Sequence, residues 1–430
     1  MFDRGCMPFN GGVPGGWFVA MMLLLASPAL AENDSSLERD VEDYLERTES
    51  PPVPRTLRGT WRLGPVLETV DDVFKIRLRS RMLIDTYWSD SRDFDSPVTD
   101  DGFFLRQARL GAVGTGFGRV PFMVELDFAK NEPRVFDVFV GLKDVPMLGT
   151  ILVGHQREPI GLDAMTPLPF LALLERAPST RALGRGRNVG VRIQNVTEDR
   201  RLTYWAGLFR ETNRFAQPRG EGGYAFTGKI TGIPVAAREG NLLHLELGFS
   251  VRDPADGEAR FNARHGPANG VRLVDTGAFP ASRELEVAAA AALRLSSFVI
   301  QVEGYVVHAS GSGTNATFWG GYVLASYWLT GEVAPYARAH AMWVRVEPLR
   351  NLHDGEQGVG AWLLAARFDH IDLSDGEIEG GVMDTVTVGV TWLWNPNARV
   401  KFEVVHADVE GGPYGTGTIV TAALRFQWDF

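Results

Sequence analysis

Cysteine is all but missing from this 430-residue chain: the single one, Cys6, falls within the first ten residues. Beyond that point disulfide frameworks, thiolate zinc sites and cysteine catalysis are excluded. Lysine is scarce as well, limited to Lys75, Lys130, Lys143, Lys229 and Lys401, so arginine carries the positive charge. A formal net charge of −10 argues against a broadly basic surface of the kind that gathers nucleic acid, and no nucleic-acid partner is expected. The chain also has no apolar run of the ~20 residues that a membrane-spanning helix needs.

The nearest such run, Trp17 to Ala26, is too short to span a bilayer. It is followed by the helix-breaking Pro28, the small-residue triplet Ala29-Leu30-Ala31 and polar Glu32-Asn33-Asp34. This is the pattern of a cleavable secretory signal peptide over 1–31, which sets the mature start at Glu32 and removes Cys6. Its leading segment carries little charge, since Asp3 opposes Arg4, and Met7 is an alternative start. Residues 32–60 read as a short polar helix, with Leu37, Val41 and Tyr44 at helical spacing over 36–49, and a stiff Pro51-Pro52-Val53-Pro54 linker.

From residue 61 to 430 the hydrophobic period is two. In Phe122 to Phe128 the even positions are apolar, while Glu125 and Asp127 share the other face. Leu243, Leu245, Leu247, Phe249 and Val251 alternate with His244, Glu246, Gly248, Ser250 and Arg252. Val386, Val388, Val390, Trp392 and Trp394 alternate with Thr385, Thr387, Gly389 and Thr391, and the last segment runs Val420, Ala422, Leu424, Phe426, Trp428, Phe430. Several charges per strand on one face do not suit a packed interior. Aromatic residues near strand ends, as in Tyr87-Trp88, Tyr327-Trp328 and Trp392 to Trp394, suit interfacial girdles. The expected fold is all-β: a transmembrane antiparallel β-barrel. At about 20 to 25 residues per strand and connection it has on the order of 16 strands.

Two stretches carry a family resemblance. The first is Gly154-His155-Gln156-Arg157-Glu158-Pro159-Ile160-Gly161-Leu162-Asp163, continued by Leu174-Glu175-Arg176-Ala177-Pro178-Ser179 and Gly186-Arg187-Asn188-Val189-Gly190-Val191. The second runs from Val388 to Val400 through Trp392-Leu393-Trp394-Asn395-Pro396-Asn397, then Val404-Val405-His406-Ala407-Asp408 and Leu424 to Phe430. In order and spacing they resemble the phosphate-selective porin O/P family of Gram-negative outer membranes. The resemblance implies a homotrimeric barrel in outer-membrane lipid, an inward loop narrowing the pore, and small anionic solutes such as phosphate. A terminal aromatic, Phe430, in register with the apolar face is the feature such barrels present to the barrel-assembly machinery.

Anion selection requires fixed positive charge at a constriction, with binding weak enough for release. One candidate is Lys75, Arg77, Arg79 and Arg81, which share a strand face opposite Phe74, Ile76 and Leu78 and would form a ladder of about 7 Å steps. A second is Arg157, Arg176, Arg181, Arg185 and Arg187, within a segment, 151–220, that holds eleven arginines against six carboxylates. Guanidinium forks suit phosphate and carboxylate oxygens. Glu158, Asp163 and Glu175 lie in the same region, and a structural latch that neutralises these arginines is the competing account.

Enzymatic features are lacking. His155, His244, His308, His340, His353, His370 and His406 are scattered, with none at metal-ligand spacing. Gly184 to Gly190 lacks the last spacing and the following helix of a dinucleotide loop. Asp372, Asp375, Glu377 and Glu379 read as solvated loop acids. No cofactor, metal or catalytic residue is expected. Three readings follow: an anion-biased outer-membrane channel, a general porin whose arginines are balanced by Glu125 and Asp127, and a structural or adhesive barrel with a closed lumen.

Overall fold

A strand turns successive side chains to opposite faces, so a period of two becomes a sheet with one apolar and one polar side. In the computed structural model, residues 56–96, 98, 101–236, 240–266, 268–311, 313–353 and 358–430 are described. The signal peptide, the mature start at Glu32 and the helix expected over 36–49 lie outside the described residues.

Sixteen strands form a closed antiparallel barrel: β1 (Phe74–Arg92), β2 (Gly102–Gly116), β3 (Val120–Asp127), β4 (Arg134–Val145), β5 (Gly149–Arg157), β6 (Arg187–Val196), β7 (Leu202–Arg210), β8 (Tyr224–Ala236), β9 (Leu242–Arg252), β10 (Arg283–Leu295), β11 (Phe298–Gly311), β12 (Thr314–Trp328), β13 (Ala361–Asp375), β14 (Ile378–Asn395), β15 (Ala398–Glu410) and β16 (Gly417–Asp429). Each pairs with its sequence neighbour, and β16 closes on β1 from Thr418↔Arg92 to Asp429↔Arg81. Closure leaves no open edge in the wall. Strand β1 extends past the end of β16, and there a hairpin, Leu57–Trp61 with Pro65–Thr69, takes over the pairing through Val66↔Arg77. Phe430 sits at this seam, exchanging two 3.1 Å backbone hydrogen bonds with Ser80, its ring 5.9 Å from that of Trp61.

The two faces invert the rule for soluble proteins. On β9, Leu247 is 54% exposed beside Glu246 at 6%, and Leu245, Phe249 and Val251 face outward while His244, Ser250 and Arg252 are buried. Water does not favour an apolar girdle around a charged interior, whereas a bilayer does. Strict alternation corrects one expectation, because adjacent aromatics cannot both join the girdle. Trp88 and Tyr327 point out, but Tyr87 and Trp328 are buried in the interior. A second departure is a bulge: the β1–β2 register slips between Leu83 and Ile84, so that neighbouring Arg106 and Gln107 both line the interior.

Three long connections fold into the barrel. Residues 158–186 and 253–282 enter from the rim opposite the C-terminus, and 329–360 enters from the rim that carries it. The 253–282 segment fills the lumen beside β10–β16, where Phe261 and Phe279 pack 5.3 and 5.8 Å from Phe318 of β12. Inward Ala288 on β10 leaves room for this packing, while Ala290 and Ala292 farther along the strand pack in a separate cluster with Leu162 and Trp343.

Candidate pore constriction

Strand β5 ends at Arg157, and the chain then turns inward rather than over the rim. Glu158, fully buried, anchors the turn by accepting hydrogen bonds from Asn188 Nδ2 (2.6 Å), Thr227 Oγ1 (2.5 Å) and Arg252 (2.5 Å). Two short helices follow, α1 (Leu162–Met165) and α2 (Pro178–Leu183), joined by an irregular stretch. Irregular backbone inside a barrel leaves carbonyls without ladder partners, and they must find donors elsewhere. The β13–β16 wall supplies these. Arg399 Nη1 donates to Pro169 O (3.2 Å), Lys401 Nζ to Leu171 O and Leu173 O (2.6 and 3.2 Å), Arg425 Nη1 to Leu174 O, and Arg367 Nη1 to Glu175 O (3.0 Å). Wall carboxylates receive the loop's N–H groups: Asp163 N donates to Glu303 (2.9 Å), Leu174 N to Glu403 (2.8 Å) and Ser179 N to Asp369 (3.2 Å). The loop is thereby pinned across the lumen to the far wall.

Glu175 binds Arg106 of β2 through both oxygens (2.7 and 3.0 Å) and Arg425 of β16 (2.6 Å), bridging two sides of the seam. Burial opposes its ionisation, yet Arg106 and Arg425 hold its carboxyl well below the usual range. Asp163 accepts from Ala177 N (3.2 Å). Glu158 and Glu175 therefore pair with arginines of the wall.

The nine cations singled out in the sequence separate into groups. Lys75 pairs with Glu68 of the seam hairpin at 3.1 Å. Arg77, Arg79 and Arg81 line a cavity of about 280 Å³ beside Phe430, and Arg79 and Arg81 also line an adjoining one of about 590 Å³ along β1–β7. Arg157, Arg176 and Arg187 line that larger cavity too. Arg187 is held by Asp137 (3.0 and 2.9 Å), and Arg176 donates to the carbonyls of Asp163, Ala164 and Thr166. Arg157 has no carboxylate within ion-pair distance among the described residues. Arg181 donates to Gly266 O (2.9 Å), and burial lowers its pKa to about 10. Arg185 bonds Glu286 and Glu284 and, like Arg181, is absent from the lining of both cavities.

Sequence reasoning passed over Arg106, Arg109 and Arg192, which also line the larger cavity. Arg109 takes up the two lumen acids, Asp127 at 3.0 Å and Glu125 at 3.5 Å, and its guanidinium lies 3.3 Å from the Phe136 ring centroid. It also passed over Arg367, Arg399, Lys401 and Arg425. Their inward parity was readable from strand alternation, but the carbonyls awaiting them were not. From the C-terminal rim, segment 329–360 adds His340 and Met342 to the larger cavity and is held by Trp343 Nε1 on Gln301 (2.8 Å), by Tyr336 OH 2.6 Å from His244 Nδ1 and by Arg345 on Asp429.

The family model "phosphate-selective porin O and P" matches residues 81–430. An uncharacterized protein of Caulobacter vibrioides is 28% identical over 399 residues, covering 86% of this chain and 77% of its own. Among solved structures, the anion-selective porin from Comamonas acidovorans aligns with TM-score 0.51 at 12% identity, over 83% of this chain and all (100%) of that one. The trimer form of OmpT from Vibrio cholerae gives the same values, 0.51, 12%, 83% and 100%. The outer membrane channel DcaP of Acinetobacter baumannii gives 0.50 at 13%, over 83% and 97%. These structures share the barrel fold. The chain belongs to the phosphate-selective porin O and P family and is an outer-membrane porin.

Proposed function

We propose that this porin is a passive channel biased toward small anions, phosphate among them, with Arg81, Arg157 and Arg187 acting at the constriction and Arg77 and Arg79 leading to the C-terminal rim. The observation that carries the reading is Arg157: among the described residues its guanidinium lines the larger cavity with no carboxylate at ion-pair distance, and Arg81, which lines the same cavity, donates to the neutral Gln107 Oε1 at 3.4 Å. Glu125 and Asp137 are the carboxylates that line the larger cavity among the described residues, and nine cations, eight arginines and Lys143, line it with them. Net positive charge lining a confined passage raises the local anion concentration and repels cations. Solute passage involves no covalent step, cofactor or metal. Membership of a family named for phosphate selectivity and the fold shared with the anion-selective Comamonas porin favour anions, and the trimer form of the Vibrio protein favours a homotrimer in outer-membrane lipid. Phe430, wedged at the seam, is the residue we assign to recognition by the barrel-assembly machinery.

The test is the zero-current potential of the purified protein in a planar bilayer under a KCl gradient, for the parent and for Arg157→Gln and Arg81→Gln. An anion-selective potential that weakens in both variants supports the reading. A cation-selective or unselective parent overturns it.

A further inference from the structure

The inner wall facing the larger cavity is not polar throughout. Val113 on β2, Met123 on β3 and Phe139 on β4 stand directly opposite one another across the ladder, Val113↔Met123 and Met123↔Phe139, all on the inward parity. Leu152 on β5 extends the stripe by one strand, and all four residues line the cavity of about 590 Å³. Nothing in the alternation rule calls for apolar side chains there, since neighbouring inward positions hold Arg79, Glu125, Asp137 and Gln156. Cations border the stripe. Arg79 Nη1 lies 3.7 Å from Met123 Sδ, and Arg192, opposite Leu152, sets its guanidinium 4.7 Å from the Trp205 ring centroid.

From this juxtaposition we propose that the channel selects amphipathic organic anions, carboxylates carrying an aromatic or short aliphatic body, over compact inorganic ones. The inference rests on the anion-channel reading above and narrows its solute class. Inorganic phosphate keeps a tight hydration shell and gains nothing from a row of Val, Met, Phe and Leu. An aromatic carboxylate places its charge on guanidiniums, which are weakly hydrated and stack on flat apolar surfaces, and lays its ring along Met123 and Phe139. A cavity of about 590 Å³ falls in the size range that accepts small organic ligands, where a few charged groups orient a solute held by an apolar lining.

The experiment uses the full protein in planar bilayers and compares the concentrations of sodium benzoate, sodium acetate and sodium phosphate that half-block the KCl current, with the zero-current potential recorded in parallel. Removing an aromatic ring's apolar surface from water corresponds to about a tenfold lower half-blocking concentration for benzoate than for acetate. In Phe139→Gln with Met123→Gln the benzoate-to-acetate ratio falls toward one. Phe139→Leu, which keeps the surface apolar, retains most of the ratio and shows whether the double variant failed for a general reason. Equal block by benzoate and acetate, or stronger block by phosphate, with an anion-selective potential preserved, overturns this inference while the anion channel stands. An unselective or cation-selective potential overturns both.

Discussion

Arg425 offers the sharpest test of how the constriction loop is held. Its side chain is fully buried; Nε and Nη2 bind both oxygens of Asp85 (2.6 Å each), Nη2 also binds Glu175 (2.6 Å), and Nη1 donates to Leu174 O. Arg425→Met keeps the stem and removes all four contacts. Glu175 retains Arg106, but Asp85, 5% exposed, loses its only described side-chain partner. Leaving one buried charge uncompensated costs about 3–5 kcal/mol. The backbone ladder of β16 is untouched, so the loss falls on docking of the 158–186 loop, a shift of about 10² to 10⁴ in its docked-to-undocked ratio. Single-channel recording is the assay. The expected result is a larger or noisier conductance from a barrel that still migrates as a heat-modifiable band, and adding Asp85→Asn, which removes the stranded charge, restores part of the parent behaviour. Parent-like conductance and noise in an intact Arg425→Met barrel would refute the claim that wall cations pin the loop.

Replacing Arg157 by Gln removes one lumen charge acting through water at ~1 kcal/mol, which favours anions and disfavours cations about fivefold each, so the anion-to-cation permeability ratio is expected to fall about 30-fold by reversal potential. His265 of the 253–282 segment is buried with Nε2 2.8 Å from Thr421 Oγ1; burial, reinforced by Arg181, lowers its pKa to about 3. Its pKa is thus lower in the docked segment than the ~6.5 of a free imidazole, so the docked form holds fewer protons, and docking stability present above that value is lost as the pH falls from there toward 3. Current noise should rise on acidification through this window, and His265→Gln should abolish the step. Gly320 of β12 lies under α2, where an added Cβ would sit 3.0 Å from Ser179 Cβ and 2.8 Å from His370 O; Gly320→Leu is expected to dislodge α2 and raise conductance. On the outer face, Leu247→Arg puts a charge near the middle of β9 and should destabilise the barrel in vesicles by about 2–4 kcal/mol by urea unfolding.

Much of this molecule was determined by local pattern. The period of two in Leu243 to Arg252 or Thr385 to Trp394 says which side chains share a face, and charges recurring on one face with aliphatics on the other specify a barrel in a bilayer, because no packed soluble core accepts that arrangement. Strand number followed from chain length. Parity also told that Arg77, Arg79 and Arg81 share a face. What parity does not contain is distance across the lumen. Arg157 and Arg185 lie in one arginine-rich segment, yet among the described residues one lines the larger cavity with no carboxylate at ion-pair distance and the other is bound to Glu284 and Glu286. Arg399, Lys401 and Arg425 look like further pore cations but serve backbone carbonyls more than two hundred residues away. The bulge at Arg106 and Gln107 and the inward entry of 329–360 were likewise decided by closure of the whole barrel. Alternation is fixed by the geometry of one strand, whereas the partner that neutralises a lumen charge is fixed by which loops fill the interior and which carbonyls they leave unpaired.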